Sequence, residues 1–262
     1  MDLLTSLKPL YALSGFVVGV LVGLTGVGGG SLMTPLLVLL FGVHPTTAVG
    51  TDLLYAAATK TVGTGVHGFK RTVQWSIVGR LAIGSVPATA VTLWFLSRQG
   101  KHAASADSLV TTALGAALIV TAIAVLFRKT IVAFVLARTG ELSPRYATGL
   151  TILLGAVLGV LVSLTSVGAG ALGMTVLLIL YPKADIAKLV GSDIAHAVPL
   201  TLLAGLGHWM MGSVDWRMLV SLLSGSIPGI ILGSLLAART PDGVLRTVLA
   251  AVLVVVGVKM LT

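Results

Sequence analysis

Long apolar stretches fill most of this chain, and short polar or glycine-rich stretches separate them. A helix needs about 20 apolar residues to cross the roughly 30 Å hydrocarbon core of a bilayer, and several stretches reach that length. No single soluble core could bury so many of them. The pattern therefore predicts an all-α polytopic membrane protein with roughly 8–10 membrane segments. The predicted segments are residues 10–24, 31–43, 47–66, 75–97, 108–127, 147–164, 171–181, 186–211, 216–237 and 243–261.

The two halves of the chain repeat each other. Residues 15–35, GFVVGVLVGLTGVGGGSLMTP, recur as residues 155–175, GAVLGVLVSLTSVGAGALGMT. The match continues further on, because GTDL at 50–53 corresponds to GSDI at 191–194. We therefore divide the chain into a first membrane repeat, residues 1–127, a basic linker loop, residues 128–146, and a second membrane repeat, residues 147–262.

A glycine cluster interrupts each copy of this stretch, at residues 28–30 and at residues 168–170. Such glycine density marks a helix break. The segment after each break is too short to span comfortably, which predicts broken or re-entrant helices that meet at the breaks. Five segments per repeat make the repeats inverted, whereas one broken helix plus three segments makes them parallel. The excess of Lys and Arg on the side of the linker favours inverted repeats with the linker in the cytoplasm.

Composition supports a membrane protein and narrows its partners. The chain is 56% hydrophobic and 10% charged, against about 25% charged in an average soluble domain. Its net charge of +9 comes from basic residues scattered over short loops, which indicates cytoplasmic loops rather than nucleic-acid binding. The first apolar run belongs to the repeat, so we interpret it as a mature segment and not a signal peptide. We expect a multi-pass protein of the inner (plasma) membrane, with the lipid bilayer as its main partner.

Secondary transport is the function that this pattern favours. Transporters with inverted repeats place their substrate sites at helix breaks between the repeats. Their two halves then move so that the site opens to one side of the membrane and then to the other. The chain has no Walker A motif, so ATP does not drive it directly, and we expect no cofactor. The alternative is a channel or facilitator for small anions or neutral solutes. An enzyme is not expected, because no nucleophile and base or metal set is placed together.

The stretches GLTGVGGGSLMTP, AVGTDLLYAAATK and GSDIAHAVPLTLLAGLGHW resemble the TauE/SafE family of sulfite exporters, over nearly the whole chain. The resemblance implies a transporter that moves small sulfur-containing anions, such as sulfite, sulfoacetate or other organosulfonates, out across a prokaryotic plasma membrane. The second copy departs from the fuller glycine cluster, with Ser166 in place of Gly26 and Ala169 in place of Gly29. The two halves therefore need not contribute equally to a site.

Hydroxyl groups and free amides at the two breaks are the first candidate substrate ligands. They form a donor-rich lining suited to the oxygens of a small anion, because amides at a helix start favour anions. The alternative is that the hydroxyls cap helix ends and the glycines permit close packing. The candidates are Thr25, Gly26, Gly28, Gly29, Gly30 and Ser31 in the first half, and Thr165, Ser166, Gly168 and Gly170 in the second.

Charged residues inside apolar segments are the second group of candidates. Asp52 and Asp193 occupy equivalent positions, and buried carboxylates suggest a coupling role through protons or a cation, or a structural role in bracing helices. His196 follows Asp193 by three residues and could form a proton-responsive pair with it. Lys60 lies about two helical turns after Asp52 and is a candidate anion ligand, unless it snorkels to the interface.

His67 and His208 fall at the ends of matched segments, and we interpret both as interfacial. The spacing of His196 and His208 matches no recognised metal-ligand pattern, so no metal site is predicted. The sequence leaves proton coupling and homodimer formation open.

Overall fold

The computed structural model describes residues 9–25, 30–69, 71–98, 104–139, 142–237 and 242–261. These residues form helices and their connections, with no strand among them. The helices are α1 (Pro9–Thr25), α2 (Gly30–Phe41), α3 (Pro45–Phe69), α4 (Trp75–Arg98), α5 (Ala104–Leu126), α6 (Arg128–Thr139), α7 (Pro144–Thr165), α8 (Ala171–Leu180), α9 (Ile186–Met210), α10 (Trp216–Ala237) and α11 (Asp242–Leu261).

Each of the ten predicted apolar segments corresponds to one of these helices, so the prediction of an all-α polytopic membrane protein is confirmed. The linker is the exception. We predicted a loop over residues 128–146, but α6 occupies its first part. The sequence RKTIVAFVLART holds no Gly or Pro, and its apolar residues let α6 pack against α8.

Five of the described helices are long and apolar enough to cross a bilayer. The segments on the far side of the predicted breaks are shorter: α2 has 12 residues and α8 has 10. A helix rises 1.5 Å per residue, so these two reach only about half-way across the hydrocarbon core. The long helices are Trp75–Arg98, Asp107–Leu126, Pro144–Thr165, Ile186–Met210 and Trp216–Gly233.

The helices of one half pack against helices of the other half in matched pairs. α1 packs along α10, and the equivalent helix α7 packs along α4. A Cβ atom added at Gly15 would collide with the carbonyl oxygen of Leu222, and one added at the equivalent Gly155 would collide with that of Leu81. Spaced glycines thus let these backbones touch, as the small-residue pattern predicts.

Equivalent helices of the two halves also pack against each other, and they run antiparallel. In the central pair, Gly50 near the start of α3 lies against His208 near the end of α9, whereas Leu54 lies against Gly205. The pair α5 and α11 is antiparallel in the same way. Two copies whose equivalent helices meet antiparallel are related by a twofold axis perpendicular to those helices. That geometry supports inverted repeats, whose orientation in a membrane stays a prediction.

Candidate functional site

The central helices α3 and α9 bring the two predicted carboxylates into the interior. Asp52 on α3 and Asp193 on α9 are 0% and 2% exposed, respectively. Both lie on helix faces that meet the short helices of their own halves, because the chain turns back from each short helix into the next long one. Carboxylates buried this deeply need hydrogen-bond or charge partners, so their surroundings define the site.

Neutral hydroxyl groups surround Asp52. The Thr34 hydroxyl of α2 donates a hydrogen bond to Asp52 Oδ2 at 2.5 Å. The hydroxyl of Ser166, from the break of the other half, lies beside the same carboxylate. Asp52 Oδ1 accepts no hydrogen bond from the residues that the structure describes. The carboxylate of the first half therefore lies between its own short helix, α2, and the break of the second half.

Asp193 has a different environment, made of cations and a backbone amide. The amide of Gly170 faces its carboxylate, and Lys60 and Arg128 lie within electrostatic reach. Its Oδ1 occupies the space that a side chain at position 173 would fill, so Gly173 is needed for the carboxylate to reach α8. Asp193 thus lies among groups that only donate hydrogen bonds or carry positive charge.

Lys60 connects these groups. Its amine donates a 3.4 Å hydrogen bond to the carbonyl oxygen of Ala169, in the second break, and its charge reaches both Asp193 and Asp52. The side chain is partly buried and extends from the first half into the second. The structure thus brings Lys60, Asp52, Asp193 and the second break together, which sequence spacing alone did not establish.

The second break, residues 166–170, has backbone angles that do not continue a helix. Ser166 has φ 59° and ends α7, while Gly168 and Gly170 have φ 121° and 116°, a region that favours glycine. The Thr165 hydroxyl donates to the Leu161 carbonyl at 2.6 Å and accepts from the Val167 amide at 3.1 Å. The substrate role of Thr165 stays a prediction, and the structure gives its hydroxyl a capping role.

The Ser166 hydroxyl has no such role. Ser166 is 6% exposed, and its Oγ makes no hydrogen bond to any described residue. Buried polar atoms usually find partners, so the Ser166 hydroxyl is available for a hydrogen bond, and its substrate role stays a prediction.

The first break is described less completely. The candidates Gly26, Gly28 and Gly29 lie outside the described residues. Thr25 is the last residue of α1, and Gly30 and Ser31 begin α2. Only their backbone is described, so their substrate role stays a prediction.

The structure contains two matched polar pairs that sequence reasoning missed. The Tyr55 hydroxyl donates to Ser226 Oγ at 2.6 Å, and Ser85 Oγ lies 2.9 Å from His196 Nε2. All four residues are fully or almost fully buried, and each pair joins one half to the other. His196 therefore pairs with Ser85 rather than completing a hydrogen-bonded pair with Asp193. The signal in the sequence was that Tyr55 and His196 align, as do Ser85 and Ser226.

His208 is not interfacial, contrary to our prediction. It is 0% exposed, and its Nε2 lies 2.9 Å from the carbonyl oxygen of Ser163. The face of α9 that carries His208 packs against α7, although the neighbouring Trp209 and Met210 are exposed. The side chain of His67 lies outside the described part. No group of three or more metal-ligating side chains occurs among the described residues.

Comparison with known proteins shows the family. The model of a family described as "Sulfite exporter TauE/SafE" matches residues 11–260. The chain belongs to the TauE/SafE family. No solved structure is a significant match to it.

Three relatives of this TauE/SafE chain in Bacillus subtilis (strain 168) carry transporter names. "Probable membrane transporter protein YjnA" is 38% identical over 250 residues, which cover 95% of this chain and 98% of the relative. "Probable membrane transporter protein YdhB" is 28% identical, and the match covers 84% of this chain and 86% of the relative. "Probable membrane transporter protein YunE" is 38% identical over a match that covers 32% of this chain and 28% of the relative.

Membership in TauE/SafE confirms the resemblance stated from the sequence motifs. Together with the apolar helices, it identifies the chain as a multi-pass membrane transporter and not an enzyme.

Proposed function

We propose that this TauE/SafE protein is a secondary transporter that exports small sulfur-containing anions, such as sulfite, sulfoacetate or other organosulfonates, across the plasma membrane. The family description, "Sulfite exporter", supports the substrate class and the direction. The transport step is alternating access, in which the two halves move around a shared site between them.

One observation carries the proposal: the Lys60 amine of the first half binds the Ala169 carbonyl in the helix break of the second half. A partly buried cation beside a helix break provides the positive charge that an anion needs in a low-dielectric interior. The break adds the buried Ser166 hydroxyl, which makes no hydrogen bond to a described residue. Because both halves contribute, movement of one half relative to the other would change access to the site.

The test is flux in liposomes. Purified protein is reconstituted into vesicles loaded with ³⁵S-sulfite or with isethionate, a small monovalent sulfonate, and efflux is followed with and without imposed potential and pH gradients. We expect efflux that saturates with internal anion and accelerates when the same anion is present outside. A channel would show neither saturation at low concentration nor this acceleration.

The matched variants are Ser166→Ala and Ser224→Ala. The Ser166 hydroxyl has no partner in the described structure, so its loss should leave the fold intact and slow efflux severalfold. Ser224 is exposed on α10 and bonds only the Ser221 carbonyl of its own helix, so Ser224→Ala should behave as wild type. Absence of any sulfur-anion flux under every gradient would refute the proposed substrate class.

A further inference from the structure

An anion bound at the second break would lie next to a carboxylate. Ser166, whose free hydroxyl and neighbouring Lys60 amine form the proposed anion site, is also beside Asp52. Two like charges this close repel strongly in a medium of low dielectric constant. The ionised form of Asp52 and an anion at Ser166 are therefore poorly compatible, and this conflict must be resolved when the anion binds.

The surroundings of Asp52 suit both of its protonation states. Besides the Thr34 amide and the charge of Lys60, its neighbours are the hydroxyls of Thr34 and Ser166, and a hydroxyl can donate to a carboxylate or accept from a carboxylic acid. Asp52 Oδ1 and Ser166 Oγ are both buried and without a partner among the described residues. A proton on Asp52 would allow these groups to be satisfied without moving a helix.

The surroundings of Asp193 favour the ionised state more than those of Asp52 do, because a second cation, Arg128, acts on Asp193 and no hydroxyl of a described residue neighbours it. The Gly170 amide faces it and the positive charges of Lys60 and Arg128 act on it, while its Oδ1 makes no hydrogen bond to a described residue. An amide N–H, an ammonium and a guanidinium donate hydrogen bonds and cannot accept one from a carboxylic acid. The two equivalent carboxylates therefore differ in function, because Lys60 has no charged counterpart: Thr201 occupies the equivalent position and bonds the Ala197 carbonyl in its own helix.

We propose that Asp52 takes up one proton when a monovalent oxyanion binds between Lys60 and Ser166, so that anion and proton occupy the second break together. Asp193 stays ionised, under the positive charges of Lys60 and Arg128. This inference rests on the anion site of the proposed function, and it adds proton uptake to anion binding there, with Asp52 as the residue that takes up the proton.

Other titratable groups near the site do not replace Asp52 in this role. On α3 itself, Tyr55 lies one turn away and donates its hydroxyl proton to Ser226. From α9, His196 is buried with its Nε2 2.9 Å from Ser85 Oγ, and a proton on its Nδ1, which bonds no described residue, would add a second positive charge within electrostatic reach of Lys60. From α2 and the break, the neighbours of Asp52 among the described residues are the Thr34 amide and the hydroxyls of Thr34 and Ser166, and none of these groups titrates near neutral pH.

The test measures proton uptake on binding. Isethionate stays ionised from roughly pH 5 to pH 8, so any proton taken up must go to the protein. Isethionate is titrated into the detergent-purified protein in weakly buffered solution, with a pH dye and calorimetry. We expect about one proton taken up per anion, and a Kd that rises up to about tenfold per pH unit as pH increases, because binding and protonation are linked.

Two variants separate the carboxylates. Asp52→Asn keeps an oxygen to accept from Thr34, and we expect it to bind isethionate with no proton uptake and with a Kd independent of pH. Asp193→Asn is the same change at the equivalent position, and we expect it to retain the pH dependence. A pH dependence lost in Asp193→Asn and kept in Asp52→Asn would overturn the assignment to Asp52.

The number of protons that the wild-type protein takes up per bound anion tests the inference even if a variant fails to fold. Binding without proton uptake would overturn the inference, whether or not the vesicles show flux. Proton-linked binding without flux would leave the inference standing and refute the transport step of the proposed function. Flux without proton uptake would refute the inference and leave the transport step of the proposed function standing. Absence of any isethionate binding would refute this site for the anion.

Discussion

Lys60 gives the proposed site its positive charge in only one of the two halves. The equivalent residue, Thr201, uses its hydroxyl for a 2.7 Å bond within α9. The residue that reaches the second break therefore carries a charge, and its counterpart on α9 does not. On the proposed function, we expect one anion to bind per molecule rather than two.

Replacing Lys60 by Thr tests this at the level of one side chain. Lys60→Thr copies the second half's residue, and we expect it to weaken isethionate binding at least tenfold, since a hydrogen bond to a charged group contributes about 1.5–3 kcal/mol. Lys60→Arg keeps the charge and should retain part of the affinity. Lys188→Thr, at an exposed lysine of α9, is the control. Titration calorimetry gives the Kd values, and unchanged binding by Lys60→Thr would place the anion elsewhere.

The charged members of the site were predictable from the sequence, and their neutral partners were not. Asp52, Asp193 and Lys60 are conspicuous because charges are rare in apolar segments. Tyr55 and Ser226 are not conspicuous, because a hydroxyl in a helix often bonds its own backbone. Which hydroxyls meet depends on which helices of the two halves cross. That information lies in long-range packing, as does the burial of His208.

Glycine positions determine which helices can touch. In α4, a Cβ at Gly84 would collide with the Ile152 carbonyl of α7, whereas a Cβ at Gly79 would meet nothing within 4 Å. Gly79 and Gly84 have the same local environment in the sequence, an apolar helix, and only the structure distinguishes them. The helix ends were predicted to within a few residues because they follow from local turn and glycine signals.

This pair of glycines gives a matched test of helix packing. Gly84→Ala forces α4 away from α7, and overpacking of this kind costs about 1–3 kcal/mol. Gly79→Ala should be neutral or slightly stabilising, because Ala favours a helix by up to about 1 kcal/mol. Thermal unfolding in detergent, followed by circular dichroism, measures both. Equal melting temperatures would mean that the α4 and α7 backbones are not in contact.

Equivalent hydrogen bonds tie the two halves together toward both ends of the central pair of helices, α3 and α9. Near the start of α3, Thr51 Oγ1 accepts a 3.0 Å hydrogen bond from the Asp215 amide. Near the start of α9, Ser192 Oγ accepts a 2.8 Å bond from the Gln74 amide. Since α3 and α9 are antiparallel, these contacts lie at opposite ends of the pair. Alternating access would open one end while the other stays closed.

Reversible cross-links across these contacts test that motion, and the chain helps because it contains no cysteine. The pairs are Thr51→Cys with Asp215→Cys, and Gln74→Cys with Ser192→Cys. Each hydrogen bond brings its two residues within reach of a disulfide or a short bifunctional thiol reagent. We expect each cross-link to stop isethionate flux in liposomes, and reduction to restore it.

The four single-cysteine variants, treated with the same oxidant, are the controls and should keep their flux. A transporter that alternates must open both ends in turn, so closing either end is sufficient to stop a full cycle. A channel needs a continuous path, and it would be blocked only by a cross-link that closes that path. Flux that survives both cross-links would show that these contacts stay closed during transport, and would place the moving boundary elsewhere between the two halves.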